Sequence, residues 1–193
     1  SAGDDLAAQG QRRAAFLTET FTGPGMPPEN SERDVAAEFR GRDEVLARLQ
    51  SFDELVLWFE HDLYDQLQIL QILDWLARQA YKPAVQLICV GSFDGVVPFD
   101  GLGNLTPPQL ATLYPARQAV SVAQYEVARR CWRALCAEDP TALTRMLDED
   151  LSALPFMKAA LLRFCRDFPW MGDGLTLTER RLLQALAAPP AEL

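Results

Sequence analysis

The spacing of apolar positions divides the chain into three regions. Residues 1–50 carry apolar positions at helical spacing and predict N-terminal helices, the second of them capped by Ser31. Residues 51–105 combine short continuous apolar runs with one long periodic segment, which predicts an α/β core. Residues 106–193 show helical spacing throughout. The predicted fold class is therefore α/β, with a small mainly parallel βαβ core and a predominantly helical C-terminal half.

The predicted core is a βαβ unit. Leu55–Phe59 is a continuous apolar run of strand length, Leu63–Ala77 is periodic at helical spacing, and Val85–Val90 is a second apolar run. The crossover of such a unit is almost always right-handed. Two strands alone do not make a stable sheet. Either a strand is hidden in a segment such as Gly95–Phe99, or sheet partners are missing from this chain, and we favour the second alternative.

Composition and charge limit the classes of partner. The chain has 27 acidic and 18 basic residues and a net charge of −9, which disfavours sequence-independent capture of nucleic acid. No apolar stretch reaches the roughly 20 residues that a bilayer crossing needs, so we expect a soluble protein with no membrane partner. The four cysteines lie in apolar runs without the spacing of metal ligands, which favours reduced, buried thiols in a cytoplasmic protein.

Polar residues follow the first predicted strand at its turn into the helix. Glu60, His61 and Asp62 form the turn, and Asp65 lies one turn into the helix. Open α/β sheets bind ligands at the carboxyl ends of parallel strands. Three carboxylates and one imidazole there suit a divalent metal ion or a general acid and base, which makes these four the candidate catalytic residues. The alternative is structural, because Asp62 as N-cap and Asp65 in the first turn would stabilise the helix without any chemistry.

A second candidate lies in the loop after the second predicted strand. Asp100, Gly101, Gly103 and Asn104 form a glycine-containing stretch in which the backbone can approach a ligand closely. The loop matches neither the phosphate-loop pattern nor the dinucleotide-binding pattern. Tight turns explain the two glycines at least as well, so ligand binding and loop geometry both stand as interpretations.

Four segments of the chain form a recognisable set. They are LWFEHDLYDQL (Leu57–Leu67), FDGLGNLT (Phe99–Thr106), LPF (Leu154–Phe156) and DGLTLTER (Asp173–Arg180). Together they resemble the bacterial family called domain of unknown function 1835, and the resemblance extends from about Arg12 to the C-terminus. Members of that family typically begin with a further α/β segment that has no counterpart here, which agrees with the missing sheet partners. The resemblance implies no particular activity.

Two classes of function follow from these features. The first, which we favour, is an enzyme-like domain that handles a metal ion, a phosphoester or a nucleotide at the end of strand 55–60, with a divalent metal as the candidate cofactor. The second is an interaction or regulatory module whose helical C-terminal half binds a protein partner, a second copy of the chain or, against the net charge, nucleic acid. The last predicted helix carries Leu182, Leu183 and Leu186 and resembles the opening of a helix-turn-helix unit. A nucleic-acid role requires one exposed basic stripe, for which the candidates are Arg129, Arg133, Arg163 and Arg180.

Overall fold

The computed structural model of the protein describes residues 6–21, 34–79 and 81–187. The chain divides into two compact units, Ser1–Leu55 and Val56–Leu193. Among the described residues, the first unit holds two α-helices and one short 3-10 helix, and the second holds the other helices and most of the sheet. The predicted division into three regions stays a prediction.

Two α-helices lie in the described part of the first unit. α1 spans Leu6–Phe21, α2 spans Val35–Ala47, and the two pack against each other. The Asp34 carboxylate caps α2, because it accepts a 2.8 Å hydrogen bond from a backbone N–H of the first turn. The predicted cap, Ser31, lies outside the described residues. A short 3-10 helix at Leu49–Ser51 leads to the first strand.

The sheet formed by the described residues has three strands. β1 (Glu54–Glu60) leads into α3 (Leu63–Arg78), which returns the chain to β2 (Ala84–Val90). β3 (Gln118–Ala119) completes the order β1-β2-β3. β1 and β2 run parallel, whereas β3 is antiparallel to β2. The α/β class is therefore confirmed, and the mainly parallel character of the core is confirmed for one of the two strand pairs.

The third strand contradicts the prediction that the C-terminal region is helical throughout. β3 pairs with β2 in a register that places Gln118 opposite Leu87. Two residues are too few to produce an alternating pattern, so this strand is defined by its hydrogen-bonded partner rather than by its own sequence. In the loop suspected of hiding a strand, the structure has one isolated bridge, between Phe93 and Val96.

The C-terminal region contains five α-helices among the described residues. α5 begins with a capping box, in which the Ser121 N–H donates to Gln124 Oε1 at 2.8 Å and the Gln124 N–H donates to Ser121 Oγ at 3.2 Å. No helix within the described ranges is both long and apolar enough to cross a membrane. The helices are α4 (Pro107–Leu113), α5 (Val122–Leu135), α6 (Thr141–Met146), α7 (Met157–Cys165) and α8 (Leu177–Ala187), with short 3-10 helices at Leu102–Asn104 and Tyr114–Ala116.

α3 is the central helix of the core in the second unit. Ile69, Leu70 and Leu73 on α3 are 0% exposed, and the helix packs against α5 and α7. Each of those helices contributes buried residues of its own, such as Cys131 on α5 and Leu161 on α7. Burying a large aliphatic side chain contributes about 1.5–3 kcal/mol. Because α3 starts where β1 ends, this packing also fixes the first turn of α3 beside the end of the strand.

The last helix, α8, exposes its apolar residues. Leu182, Leu183 and Leu186 are 59%, 52% and 82% exposed, and no residue of α8 is buried. Helical spacing therefore predicts the helix correctly, but the apolar stripe on it is not covered by the described residues.

Candidate functional site

The candidate site lies where β1 passes into α3. β1 ends at Glu60 and α3 begins at Leu63, so His61 and Asp62 form a two-residue bend. Because β1 and β2 are parallel, this bend lies at the carboxyl edge of the strand pair, on the same edge as the loop that follows β2. Ligands of open α/β sheets bind at such an edge.

Asp62 caps α3. Its Oδ1 accepts hydrogen bonds from the N–H groups of Tyr64 at 2.6 Å and Asp65 at 3.0 Å. Donors in the first turn of a helix have no partner within the helix, and a carboxylate there also interacts favourably with the helix dipole. The structural interpretation of Asp62 is thus confirmed, and these two bonds use only one of its carboxylate oxygens.

Asp65 extends back from α3 to the end of the strand. Its Oδ2 accepts a 2.7 Å hydrogen bond from the Glu60 N–H. Burial raises the pKa of Asp65, the hydrogen bond from Glu60 lowers it, and the charge of Asp62 raises it, with a net rise from the ordinary value of 3.8. Ionisation of Asp65 is therefore less favourable in the folded protein than in the unfolded chain.

Glu60 connects the end of β1 to the loop after β2. Its carboxylate accepts a hydrogen bond from the Leu102 N–H. Gly101 adjoins this carboxylate so closely that a Cβ at that position would overlap it, and its φ of 156° is a conformation that other residues rarely adopt. The close approach of Glu60 therefore requires glycine at position 101, in addition to any requirement of a tight turn.

Asn104 shapes the loop that meets Glu60. Its Oδ1 accepts hydrogen bonds from the N–H groups of Asp100 at 2.6 Å and Gly101 at 3.1 Å. Asp100 is exposed and takes part through its backbone. Gly103 is also exposed, and a Cβ there would meet nothing within 4 Å. Of the four predicted loop residues, Gly101 and Asn104 thus support the position of Glu60, whereas the structure gives Gly103 no such role.

Three carboxylates come together at the bend and form what we call the carboxylate cluster (Glu60, Asp62 and Asp65). One oxygen from each of them lies within 4.8 Å of those of the other two. Oxygen ligands are the ones that hard divalent cations such as Mg²⁺ and Ca²⁺ prefer. His61 is not a member of this group, although it lies between two of its members in the sequence. The structure therefore separates the imidazole from the carboxylates.

His61 lies against two aromatic rings. Its ring centroid is 6.1 Å from that of Phe99 and 6.1 Å from that of Phe156, with interplanar angles of 31° and 63°. Its Nδ1 is buried and has no hydrogen-bond partner among the described residues. Most buried polar atoms have a partner, so ring packing alone does not account for this one.

Gln66 is a site residue that the spacing of apolar positions does not reveal. It is 1% exposed, and its Nε2 donates to the Glu60 carbonyl at 2.8 Å and to Cys89 Sγ at 3.3 Å. The amide thereby joins the end of β1 to β2. Burial raises the pKa of the Cys89 thiol, against the lowering effect of the Gln66 hydrogen bond. The sequence does contain one signal that could have identified Gln66: it is a polar residue on the apolar face of α3, four residues before Leu70.

Comparison with known proteins identified no relative of this chain. No family model matches the chain, and neither a curated protein nor a solved structure matches it significantly. The resemblance to domain of unknown function 1835 stays a prediction, and the case for a function rests on the carboxylate cluster.

Proposed function

We propose that this protein binds a divalent metal ion at the carboxylate cluster and acts there, as an enzyme-like domain, on a phosphoester or nucleotide. One observation carries the proposal: oxygens of Glu60, Asp62 and Asp65 lie within 4.8 Å of one another at the carboxyl edge of parallel strands. Three ionised carboxylates at this separation repel one another. A divalent cation between them replaces that repulsion with coordination.

The hydrogen bonds within the cluster are compatible with coordination. They use one oxygen of each carboxylate, namely Glu60 Oε2, Asp62 Oδ1 and Asp65 Oδ2. The second oxygen of each group can bind a cation while the first keeps its backbone N–H donor. Such outer hydrogen bonds orient metal ligands before the ion arrives, which reduces the ordering cost of binding.

The proposed substrate class follows from charge. A phosphate group is repelled by three bare carboxylates, whereas Mg²⁺ bound through carboxylates keeps coordination positions for phosphate oxygens. A metal ion held by Glu60, Asp62 and Asp65 would supply a Lewis acid for a phosphoryl oxygen or a bound water. The chain's own contribution is to hold the ligand oxygens at one strand edge.

Calorimetric titration with Mg²⁺, Mn²⁺ and Ca²⁺ tests the cation site. We expect at least one ion to bind, and to stabilise the fold by about 2.7 kcal/mol at roughly a hundred times its dissociation constant. Glu60→Gln and Asp62→Asn keep hydrogen-bond acceptors while removing charge, so each should weaken binding by about tenfold or more. Asp148→Asn, on an exposed turn, is the matched control and should bind as the wild type does. No binding by the wild type would refute the proposal, as would unchanged affinity in both cluster variants.

Asp65→Asn adds a check through stability. A carboxyl group whose folded-state pKa is raised loses stability as the pH rises past its ordinary value of 3.8, because the unfolded chain ionises first. In chelator at neutral pH, the Asp65→Asn variant should therefore unfold at a higher temperature than the wild type, and added cation should no longer stabilise it. The gain in chelator follows from the raised pKa alone, whereas a purely structural role for Asp65 predicts that the cation stabilises the variant as much as the wild type. Thermal unfolding with and without the ion distinguishes the two.

A second function, as an interaction module, is favoured by the exposed apolar surface at the C-terminal end of the described residues. Trp170, Met171, Leu182, Leu183 and Leu186 are each more than half exposed, with values from 52% to 106%. Large apolar side chains exposed together are typical of protein interaction sites when they form one patch. In its second-copy form, this function predicts self-association in sedimentation velocity that Leu183→Glu abolishes. A monomer at every concentration would count against that form.

The nucleic-acid version of the module loses support. Arg163 pairs with Asp167 and Arg180 pairs with Asp173, each at 2.7 Å. Two of the four candidate arginines are thus neutralised by local acids instead of standing in one free basic stripe, and phosphate binding depends on such free cations.

Two further expectations belong with this proposal. From the sequence alone, we place the chain with the bacterial domain of unknown function 1835 family, whose matching segments include both the carboxylate cluster and the loop with Gly101 and Asn104. A cytoplasmic setting is supported by four free cysteines. Alkylation in whole cells followed by mass spectrometry would test it, since oxidised thiols would contradict a reducing compartment.

A further inference from the structure

A side-chain hydrogen bond, which we call the latch, joins the loop after β2 to the end of β1: the Leu102 N–H donates to the Glu60 carboxylate. We call residues Phe99–Asn104 the lid. Hydrogen bonds to an ionised carboxylate are stronger than those between neutral groups. The latch therefore holds the lid against the strand end with one charged group.

The lid backbone is shaped to receive this carboxylate. Gly101 leaves the space that a Cβ would take from Glu60, and its φ of 156° suits glycine. Asn104 Oδ1 accepts from the N–H groups of Asp100 and Gly101, which fixes the bend just before Leu102. The neighbouring Gly103 has open space where its Cβ would lie, so the steric demand is confined to the latch.

The lid also lies against His61, which is half-buried. Phe99, its first residue, places its ring 6.1 Å from the imidazole, which lies against Phe156 as well. Nδ1 is buried without a hydrogen-bond partner among the described residues, and a buried polar atom without a partner is unfavourable. An arrangement in which Phe99 moves away would return this nitrogen to water or to a ligand.

We propose that Phe99–Asn104 is a lid, held closed by the Glu60–Leu102 latch, whose opening uncovers Nδ1 of the His61 imidazole. The proposal depends on the latch and not on the cation site, although both use Glu60. It assigns His61 a role outside the carboxylate cluster, as the group presented when the lid opens.

The chain contains one histidine, so the N-carbethoxyimidazole that diethyl pyrocarbonate forms reports on His61. The experiment uses the full chain in chelator, which makes its outcome independent of metal binding. We expect the wild-type imidazole to react more slowly than N-acetylhistidine. Gly101→Ala places a Cβ on the Glu60 carboxylate, and Asn104→Ala removes the acceptor that shapes the bend, so each should speed modification by about tenfold or more. Gly103→Ala is the matched control and should react as the wild type does.

Hydrogen exchange followed by mass spectrometry supplies the second readout. The Leu102 amide should exchange faster in Gly101→Ala and Asn104→Ala, while the amides of α3 keep their protection. A wild type as reactive as N-acetylhistidine overturns the proposal, as do lid variants that match the wild type in both measurements. If either variant loses protection in α3, Glu60→Gln replaces it, because the neutral side chain keeps its shape and weakens the latch, and the chelator keeps its effect on cation binding out of the measurement. Faster modification in that variant supports the lid, and an unchanged rate overturns it.

Discussion

Replacing Leu70 by alanine is expected to lower the free energy of unfolding by about 3 kcal/mol, within a usual range of about 2–5 kcal/mol for buried leucines. Leu70 is 0% exposed, and α3, on which it lies, packs against α5 and α7. The substitution removes the transfer free energy of the lost methyl and methylene groups and leaves a cavity that the surrounding helices fill only in part. Urea denaturation followed by circular dichroism measures the change.

Leu186→Ala is the matched control, since it makes the same chemical change on a helix where the leucine is 82% exposed. We expect it to alter the free energy of unfolding by less than about 0.5 kcal/mol. Equal losses in the two variants would mean either that α8 is covered in solution or that α3 is not the core helix. A size-exclusion profile of the Leu186→Ala variant separates these explanations, because a covering second copy would change the elution volume.

The contrast between α3 and α8 shows what apolar spacing can and cannot predict. Both helices carry leucines at helical spacing, and both are predicted correctly as helices. Spacing depends only on the local chain, whereas burial depends on what packs against the apolar stripe. Leu70 is 0% exposed on a helix that packs against two others, whereas Leu183 remains 52% exposed. The sequence alone therefore predicts an apolar stripe on each helix, but it does not predict whether another element packs against that stripe.

The sheet shows the same limit. The runs that became β1 and β2 are long enough to be read as buried strands from their own residues. β3 has two residues, and its hydrogen bonds join positions about thirty residues apart, such as Gln118 and Leu87. A pairing of that kind leaves no periodic signal, so the mixed character of the sheet could not be predicted.

Within the candidate site, the local contacts were the predictable ones. Asp62 as a cap and Asp65 directed towards the strand follow from a spacing of five residues or fewer. The bond from Leu102 to Glu60 spans 42 residues, and the ring contacts of His61 come from two separate loops. The sequence therefore names the residues at the bend but does not show that the imidazole and the carboxylates have different surroundings.

Replacing Gln66 by leucine is the second large effect we expect, a loss of about 1–3 kcal/mol in the free energy of unfolding. Gln66 is 1% exposed, and its amide donates to the Glu60 carbonyl and to Cys89 Sγ. Leucine is of similar size but cannot donate, so the carbonyl at the end of β1 loses this donor in a buried place. Gln66→Ala adds a cavity to the same loss, so its effect should be larger by a further 1 kcal/mol or so.

Gln68, two residues further along α3, gives the matched control because it is exposed. Gln68→Leu and Gln68→Ala should each stay within about 0.5 kcal/mol of the wild type in urea denaturation. If Gln66→Leu were as mild as its control, the amide would be a tolerated polar residue and not a support of the strand end. A loss confined to Gln66 would instead show that the backbone carrying Glu60 depends on a donor from α3. In that case Gln66→Leu should also speed exchange of the Leu102 amide. The Leu102 N–H donates to the Glu60 carboxylate, and the Gln66 amide supports the backbone of Glu60.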